Sequence, residues 1–181
     1  MTFSKLSFSL CMVLCVFSCK GQVVTNTSYV TLSGEKVLRL EVIVPIDKKK
    51  VWQYFTKDEL LQKWIAPLVH IDLKTGGSII TNYNKNASLN DGSSIRLAIV
   101  NYLEEQLLTL KVKLNDNFSQ KLQDEDGNLQ ELIQIEDTGD QKTRIISSMI
   151  GWGKGEDWDK AYDFFAKGNT WTYEELFKTI K

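Results

Sequence analysis

The feature that most constrains the fold of this chain is a succession of strand-like segments followed by one long amphipathic helix. Alternating or β-branched residues form six such segments, separated by turns rich in glycine, asparagine or aspartate. Pairs such as Gly76-Gly77 and Asp126-Gly127 supply the positive φ that tight hairpin turns need. Consecutive strands joined by short turns predict an antiparallel sheet, with segments at 68–73, 78–83, 94–102, 107–114, 129–136 and 143–150.

Flanking segments complete an α+β domain. Before the six segments, the sequence predicts a strand over 37–44 that ends at Pro45, and a helix capped by Asp47. A second short helix follows and ends at Pro67. The last helix is predicted over 157–180, because one largely apolar face recurs there at three- and four-residue steps. The residues of this face, which must lie on the sheet, are Trp158, Tyr162, Phe165, Asn169, Thr172, Leu176 and Ile180.

The first residues resemble a bacterial lipoprotein signal. Lys5 precedes an apolar run over 6–17, which is shorter than the roughly 20 residues that a membrane-spanning helix needs. The tetrapeptide Val16-Phe17-Ser18-Cys19 is similar to a lipobox, in which the cysteine is acylated and becomes the new N-terminus after cleavage. The three cysteines, at 11, 15 and 19, all lie in this region, so the rest of the chain offers no thiol for a disulfide. The alternative is an ordinary signal peptide, or a short anchor, with an incidental cysteine.

These observations divide the chain into a signal peptide at 1–18, a lipidated Cys19 with a flexible spacer at 19–34, and one domain at 35–181. The spacer is predicted because residues 20–33 are rich in threonine, serine, asparagine and glycine. Several acyl chains give stable anchoring, so we expect the domain to be held at a membrane of the cell envelope. Lys20-Gly21-Gln22 lacks the acidic cluster that directs lipoproteins to the surface in some bacterial groups, which predicts a periplasm-facing domain.

Composition and spacing argue against several functional classes. The net charge is −1, with 22 lysine and arginine residues against 23 aspartate and glutamate residues, so the basic stripe of a nucleic-acid binder is missing. His70 is the only histidine, and neither a metal site, a cofactor nor a catalytic residue is predicted. The loop Gly151-Trp152-Gly153-Lys154-Gly155 lacks the spacing of a phosphate-binding loop and is predicted to be a turn, with Asp157 capping the last helix. The carboxylates Asp124-Glu125-Asp126 are expected at a solvated turn.

Several short motifs resemble one family. They are Val51-Trp52-Gln53-Tyr54-Phe55-Thr56, Leu60-Leu61-Gln62-Lys63-Trp64, Gly76-Gly77, Gly151-Trp152-Gly153-Lys154-Gly155-Glu156-Asp157-Trp158 and Ala161-Tyr162-Asp163-Phe164-Phe165. Together they look like the START-like (SRPBCC) superfamily, in the branch of homologues of the C-terminal domain of the activator of the ninety-kilodalton heat-shock protein ATPase. In one departure, Asn169 and Thr170 separate Gly168 from Trp171, where the family often has glycine directly before tryptophan.

The resemblance covers residue 37 to the end of the chain and implies a helix-grip fold. In that fold, a curved antiparallel sheet of about seven strands wraps around the long C-terminal helix, with two short helices after the first strand. A cavity between sheet and helix often takes an apolar ligand in this superfamily. The resemblance does not imply a particular reaction, because one fold hosts many functions.

Five residues are predicted to line such a cavity: Trp64, Trp158, Tyr162, Phe165 and Asn169. Aromatic side chains with a few polar groups are typical of small-molecule cavities, although these aromatics could also fill the core themselves. An unpaired amide at Asn169 would cost about 1–3 kcal/mol, so it should bond backbone, water or ligand. We therefore expect a non-catalytic, membrane-tethered domain that binds a small hydrophobic or amphipathic ligand. A co-chaperone-like interaction module, and a cyclase- or hydrolase-like enzyme that uses the same cavity, are the alternatives.

Overall fold

The computed structural model describes residues 23–181, so the predicted signal peptide and Cys19 lie outside the described residues. Four helices and nine strands follow one another in this part of the chain. The strands are β1 (Val24–Asn26), β2 (Tyr29–Val30), β3 (Lys36–Val44), β4 (Leu68–Ile71), β5 (Ser78–Asn82), β6 (Ile95–Leu103), β7 (Leu107–Lys111), β8 (Gln130–Gly139) and β9 (Lys142–Ile150). The helices are α1 (Lys48–Thr56), α2 (Asp58–Leu61), α3 (Gln120–Glu125) and α4 (Glu156–Ile180).

All strands belong to one open antiparallel sheet, in the order β1-β3-β9-β8-β7-β6-β5-β4, with β2 paired to β3. The predicted α+β class and helix-grip arrangement are confirmed. The sheet has nine strands rather than about seven, because the two short strands β1 and β2 extend it at one edge. The Asp47 side chain caps α1 as predicted, since its Oδ1 accepts from the backbone N–H of Lys50 at 3.0 Å.

The inner face of the sheet follows from the strand register. Leu38 lies opposite Met149, Met149 opposite Glu131, Glu131 opposite Leu110, and Leu110 opposite Ile99. Paired residues of antiparallel neighbours point to the same face, so these five side chains form one row across the sheet. Four of them are apolar and buried in the core, whereas the fifth is a glutamate. The row therefore brings one carboxyl group into an otherwise apolar surface.

The spacer prediction is wrong for residues 24–30. Val24 lies opposite Val42 in β3 and is only 1% exposed, although the four residues that follow it are polar. The Thr27 hydroxyl donates to Glu41 Oε1 at 3.0 Å, which fastens the turn between β1 and β2 to the same strand. The polar composition concealed the strand because an edge strand buries few side chains, and here one valine in register is enough.

Two further predictions, of a solvated acidic turn and of a cap on the last helix, are also corrected. Asp124 and Glu125, predicted to lie in a solvated turn, instead form the last residues of helix α3, which Ser119 caps by accepting from the backbone N–H of Leu122. Asp126 follows it and accepts from the backbone N–H of Leu114 at 3.0 Å. Asp157 does not cap α4, since that helix begins one residue earlier, after Gly155, without a side-chain cap. Asp157 lies in the first turn instead, where the helix dipole favours its charge.

Candidate ligand-binding cavity

A cavity of about 390 Å³ lies between α4 and the inner face of the sheet. This volume is within the range of small-molecule sites, about 300–1,000 Å³. Its wall is mostly aliphatic and aromatic, with a small set of polar groups. The lining residues are Phe55, Leu61, Trp64, Ile65, Ile79, Thr81, Tyr83, Ile95, Leu97, Leu110, Val112, Lys113, Asn115, Asn117, Phe118, Glu131, Ile133, Met149, Phe164, Phe165, Gly168, Asn169, Trp171, Thr172 and Tyr173.

Helix α4 closes the cavity through residues at three- and four-residue spacing, which places them on one face. Phe165, Gly168, Asn169 and Thr172 form this face along the middle of the helix. At about 1.5 Å per residue, a helix of 25 residues is roughly 37 Å long, so the cavity occupies only part of its length. Residues near either end of α4 therefore pack elsewhere.

Glu131 and Tyr173 line one part of the cavity, and we call these two residues, together with the buried Ser147 that bonds Glu131, the acidic end. The Ser147 hydroxyl donates to Glu131 Oε1 at 2.6 Å, and the Tyr173 hydroxyl approaches the same oxygen at 3.0 Å. Ser147 and Tyr173 are buried, with 2% and 4% of their surface exposed. Glu131 is half-buried. Because it lines the cavity, the part of its surface that remains exposed faces that space.

Burial governs the electrostatics of the acidic end. Removal from water raises the pKa of the Glu131 carboxyl above its usual value of 4.5, and the hydrogen bonds from Ser147 and Tyr173 only partly oppose this. Burial also raises the pKa of the Tyr173 phenol well above its ordinary value of 10.0, and the nearby Glu131 charge raises it further. Tyr173 therefore remains a neutral hydrogen-bond donor, and the protonated form of Glu131 is favoured over a wider pH range than in water.

The sequence analysis did not identify Glu131, although the sequence contains a signal for it. Leu129, Ile133 and Ile135 are all buried and share one face by the two-residue period of a strand. Glu131 occupies the remaining position of that series. A lone carboxylate at an inward position of an alternating strand is therefore the pattern that could have predicted the acidic end.

Asn169 borders the cavity opposite Met149. Its amide Nδ2 donates to the Met149 Sδ at 3.1 Å. A thioether is a weak acceptor, so this contact satisfies the amide only partly. The amide of Asn169 thus has a sulfur contact and remains able to bind a polar group in the cavity, so the contact with water or ligand stays a prediction.

The structure places three of the five predicted cavity residues on the wall and two elsewhere. Trp64, Phe165 and Asn169 line the cavity. The prediction is wrong for Trp158 and Tyr162, which lie nearer the start of α4. They share the helical face with Phe165, but helical periodicity does not reveal how far along the axis the cavity extends.

The two misplaced aromatics have structural partners of their own. Trp158 is buried, and its indole N–H donates to Glu125 Oε2 at 2.9 Å. A Cβ added at Gly153 would lie 2.2 Å from the Trp158 Nε1, so this glycine allows the close approach of loop and indole. Tyr162 packs edge-on against Trp152, with ring centroids 5.0 Å apart. These contacts explain the glycine-rich loop as packing around the start of α4.

The mouth of the cavity is bordered by four aromatic side chains, which we call the aromatic rim: Tyr83, Phe118, Phe164 and Trp171. Phe118 stacks on Phe165 with an interplanar angle of 3° and packs edge-on against Phe164. Phe164 and Trp171 are 57% and 55% exposed. The rim thus combines buried ring contacts with apolar surface that faces solvent at the entrance.

Other groups with chemical potential lie away from the cavity. His70 is exposed, and its Nδ1 lies 2.8 Å from Asp58 Oδ2 on the far side of β4 from the core. No cluster of three or more histidine, cysteine, aspartate or glutamate residues that could hold a metal ion occurs within residues 23–181. None of the helices in that range is both long and apolar enough to cross a membrane.

An antiparallel sheet with a long C-terminal helix across it, and a cavity between them, defines a START-like domain with the helix-grip fold. The sequence model of the family described as Activator of Hsp90 ATPase homolog 1-like protein matches residues 45–181. The chain belongs to this family, as the sequence motifs predicted. The family and the fold are those of a ligand-binding or co-chaperone-like domain. A comparison with curated protein sequences gives no match.

Solved structures share the fold at low sequence identity. A conserved protein of unknown function from Enterococcus faecalis superimposes with a TM-score of 0.63 at 13% identity, over 86% of this chain and 77% of the other. CalU16 from Micromonospora echinospora gives 0.62 at 12% identity, over 88% and 85%. The Aha1 dimer from Colwellia psychrerythraea gives 0.59 at 13% identity, over 80% and 95%. At such identities the likeness establishes the fold alone.

Proposed function

We propose that this domain binds a small hydrophobic or amphipathic ligand in the cavity beneath α4. The observation that carries the proposal is the cavity itself, which combines about 390 Å³ of space, a mostly apolar wall and a small set of polar groups. A core filled by its own aromatics would leave no such space. Ligand entry past the aromatic rim is consistent with the exposed surfaces of Phe164 and Trp171 at the mouth.

The proposed activity is binding without catalysis. The residues that line the cavity include no cysteine or histidine, and the only histidine pairs with Asp58 elsewhere. The Ser147 hydroxyl donates to Glu131, but Ser147 is 2% exposed and is not among the residues that line the cavity, so it is not placed to attack a bound ligand as a nucleophile. These features favour a ligand carrier or sensor over a cyclase- or hydrolase-like enzyme.

We further propose that acylated Cys19 holds the domain at a membrane of the cell envelope, on its periplasmic side. Residues 20–23 separate Cys19 from β1. An extended chain spans at most about 3.6 Å per residue, so the acylated residue would lie within about 18 Å of the sheet. Cells fed a labelled fatty acid should incorporate it into the wild-type protein and not into Cys19→Ala. Equal labelling of both proteins would refute the tether.

Gly168 offers a direct test of the binding proposal. It lies on the cavity face of α4, and a Cβ added there has no heavy atom within 4 Å. Gly168→Leu should therefore fold while its side chain occupies the mouth. Gly168→Ala is the matched control, because it raises helix propensity by about 1 kcal/mol without filling the space.

The measurement is a fluorescence titration of the purified soluble domain with the neutral dye Nile red, beside native mass spectrometry for a co-purifying ligand. We expect wild type and Gly168→Ala to bind the dye alike, and Gly168→Leu to bind at least about tenfold more weakly, a difference of about 1.4 kcal/mol. Absence of dye binding to the wild type, or equal binding by Gly168→Leu, would refute the proposal. The interaction module would then be the better description, with the aromatic rim as its surface.

A further inference from the structure

We infer that the acidic end selects a ligand whose polar group donates hydrogen bonds, with a primary ammonium group on an apolar chain as the preferred class. Glu131 is the residue that would receive this group. The inference rests on the proposed function, since it names the ligand chemistry of the same cavity. The charge of Glu131 should make the cavity selective against alkanoates and other anionic amphiphiles.

The geometry leaves one carboxyl oxygen of Glu131 available. Both hydroxyl groups at the acidic end, those of Ser147 and Tyr173, bond Oε1. Neither bonds Oε2, and the open surface of the residue faces the cavity. An ionised carboxylate only accepts hydrogen bonds, so a ligand group that reaches Oε2 of ionised Glu131 should be a donor. Asn169, on the same wall, can accept a second hydrogen bond through its amide oxygen.

The charges around the cavity point to the same class. Among the described residues that line it, Lys113 is the only basic one, and it is exposed to solvent. The Glu131 carboxyl forms no ion pair with any residue of the described range. A buried carboxylate without a cation is unfavourable, and a ligand ammonium would supply the missing charge. A charge-assisted hydrogen bond of this kind is about twice as strong as a neutral one.

An anionic head group would be repelled by the Glu131 carboxylate. Two carboxyl groups in contact cannot both be ionised in a low-dielectric site, so an alkanoate could approach Glu131 only if the pair retained a proton. Its other orientation would place the head group near Lys113 and the chain inside. In that orientation binding would depend on Lys113 and not on Glu131, which separates the two arrangements experimentally.

The test compares three probes with the same apolar chain: dodecylamine, dodecanol and dodecanoate, each competing with bound Nile red at neutral pH. We expect the wild type to bind dodecylamine at least about tenfold more tightly than dodecanoate. Glu131→Gln should remove this preference and leave dodecanol binding within about twofold, because the amide is uncharged and similar in size. Glu104→Gln, which removes an exposed carboxylate outside the cavity lining, should behave like the wild type.

The inference is overturned if the wild type binds dodecanoate as tightly as dodecylamine, a comparison that needs no variant. It is also overturned if Glu131→Gln keeps the preference, or if Lys113→Gln alone abolishes dodecanoate binding while the amine binds no better. In these cases Nile red still binds and is displaced, so the proposed function stands. Failure of Nile red to bind the wild type would instead refute the proposed function and this inference with it.

Discussion

Replacement of Phe165 by alanine distinguishes a cavity wall from a filled core. Phe165 is half-buried and lines the cavity, while its ring contacts Phe118, Trp152 and Phe164 at centroid distances of 5.7, 5.8 and 5.5 Å. In a solid core, phenylalanine to alanine costs about 3–5 kcal/mol. On a cavity wall, part of the ring already faces open space and its removal costs less.

The expected loss can be worked from the structure. Complete burial of a large apolar side chain contributes about 1.5–3 kcal/mol, so the half-buried ring of Phe165 contributes roughly half of that. Aromatic pairing adds about 0.5–1.5 kcal/mol beyond burial. Phe165→Ala should therefore lower the free energy of unfolding by about 2 kcal/mol. For a domain of this size that corresponds to a decrease in Tm of about 4–8 °C.

Two matched variants bracket the measurement, which is a urea titration followed by tryptophan fluorescence. Phe55 also borders the cavity, but its ring is only 1% exposed and faces almost no open space, so Phe55→Ala should cost about 3–5 kcal/mol. Phe164→Ala removes a ring that is 57% exposed and should cost less than about 1 kcal/mol. A loss at Phe165 as large as that at Phe55 would mean that the ring is core. A loss as small as that at Phe164 would mean that the aromatic contacts do not form.

Three further predictions concern stability. Gly153→Ala would place its Cβ 2.2 Å from the Trp158 indole nitrogen, so the free energy of unfolding should fall by about 1–3 kcal/mol; an unchanged urea midpoint would contradict this packing. Because the folded state raises the pKa of Glu131 above 4.5, this group binds more protons in the folded state, and its own contribution to stability should be greatest below about pH 4.5 and decline as pH rises through the raised value. Glu131→Gln should abolish that decline in melts at a series of pH values, and an identical decline in the variant would refute the assignment. Val24→Ala, at a position 1% exposed, should cost about 1–2 kcal/mol, whereas Val30→Ala, at 62% exposed, should change stability by less than about 0.5 kcal/mol; equal effects would show that β1 is not part of the domain.

The order and type of most elements could be predicted from the sequence because their signals are local. Period-two and period-3.6 patterns predicted seven strands, two short helices and the long last helix, and the structure contains them with ends shifted by a few residues. The Asp47 cap is also a local feature, formed with a backbone N–H three residues away. Elements of low apolar content escaped this reasoning. Strands β1 and β2 and helix α3 bury few side chains, so their patterns resembled those of spacers and turns.

The cavity depends on where the helix face lies along its axis, which periodicity does not specify. Trp158, Tyr162 and Phe165 share a face of α4, yet only Phe165 of these three borders the cavity. Trp64 joins the same wall from the segment after α2, with its indole N–H bonded to the Tyr54 carbonyl at 3.0 Å. The contact of Trp64 and Phe165 with the same cavity depends on how α4 crosses the sheet. The sequence could therefore identify candidate lining residues but could not show which of them border one cavity.

The acidic end shows most clearly which properties follow from the sequence and which depend on the tertiary structure. The sequence by itself determined that Glu131 falls on the inward face of β8, because alternation along a strand is a local property. The tertiary structure determined which groups surround the Glu131 carboxyl. Register with β9 brings Ser147 to the carboxyl from 16 residues away, and the packing of α4 brings Tyr173 from 42 residues away. Desolvation and hydrogen bonding depend on neighbours in space, so the chemistry of this carboxyl exists only in the folded domain.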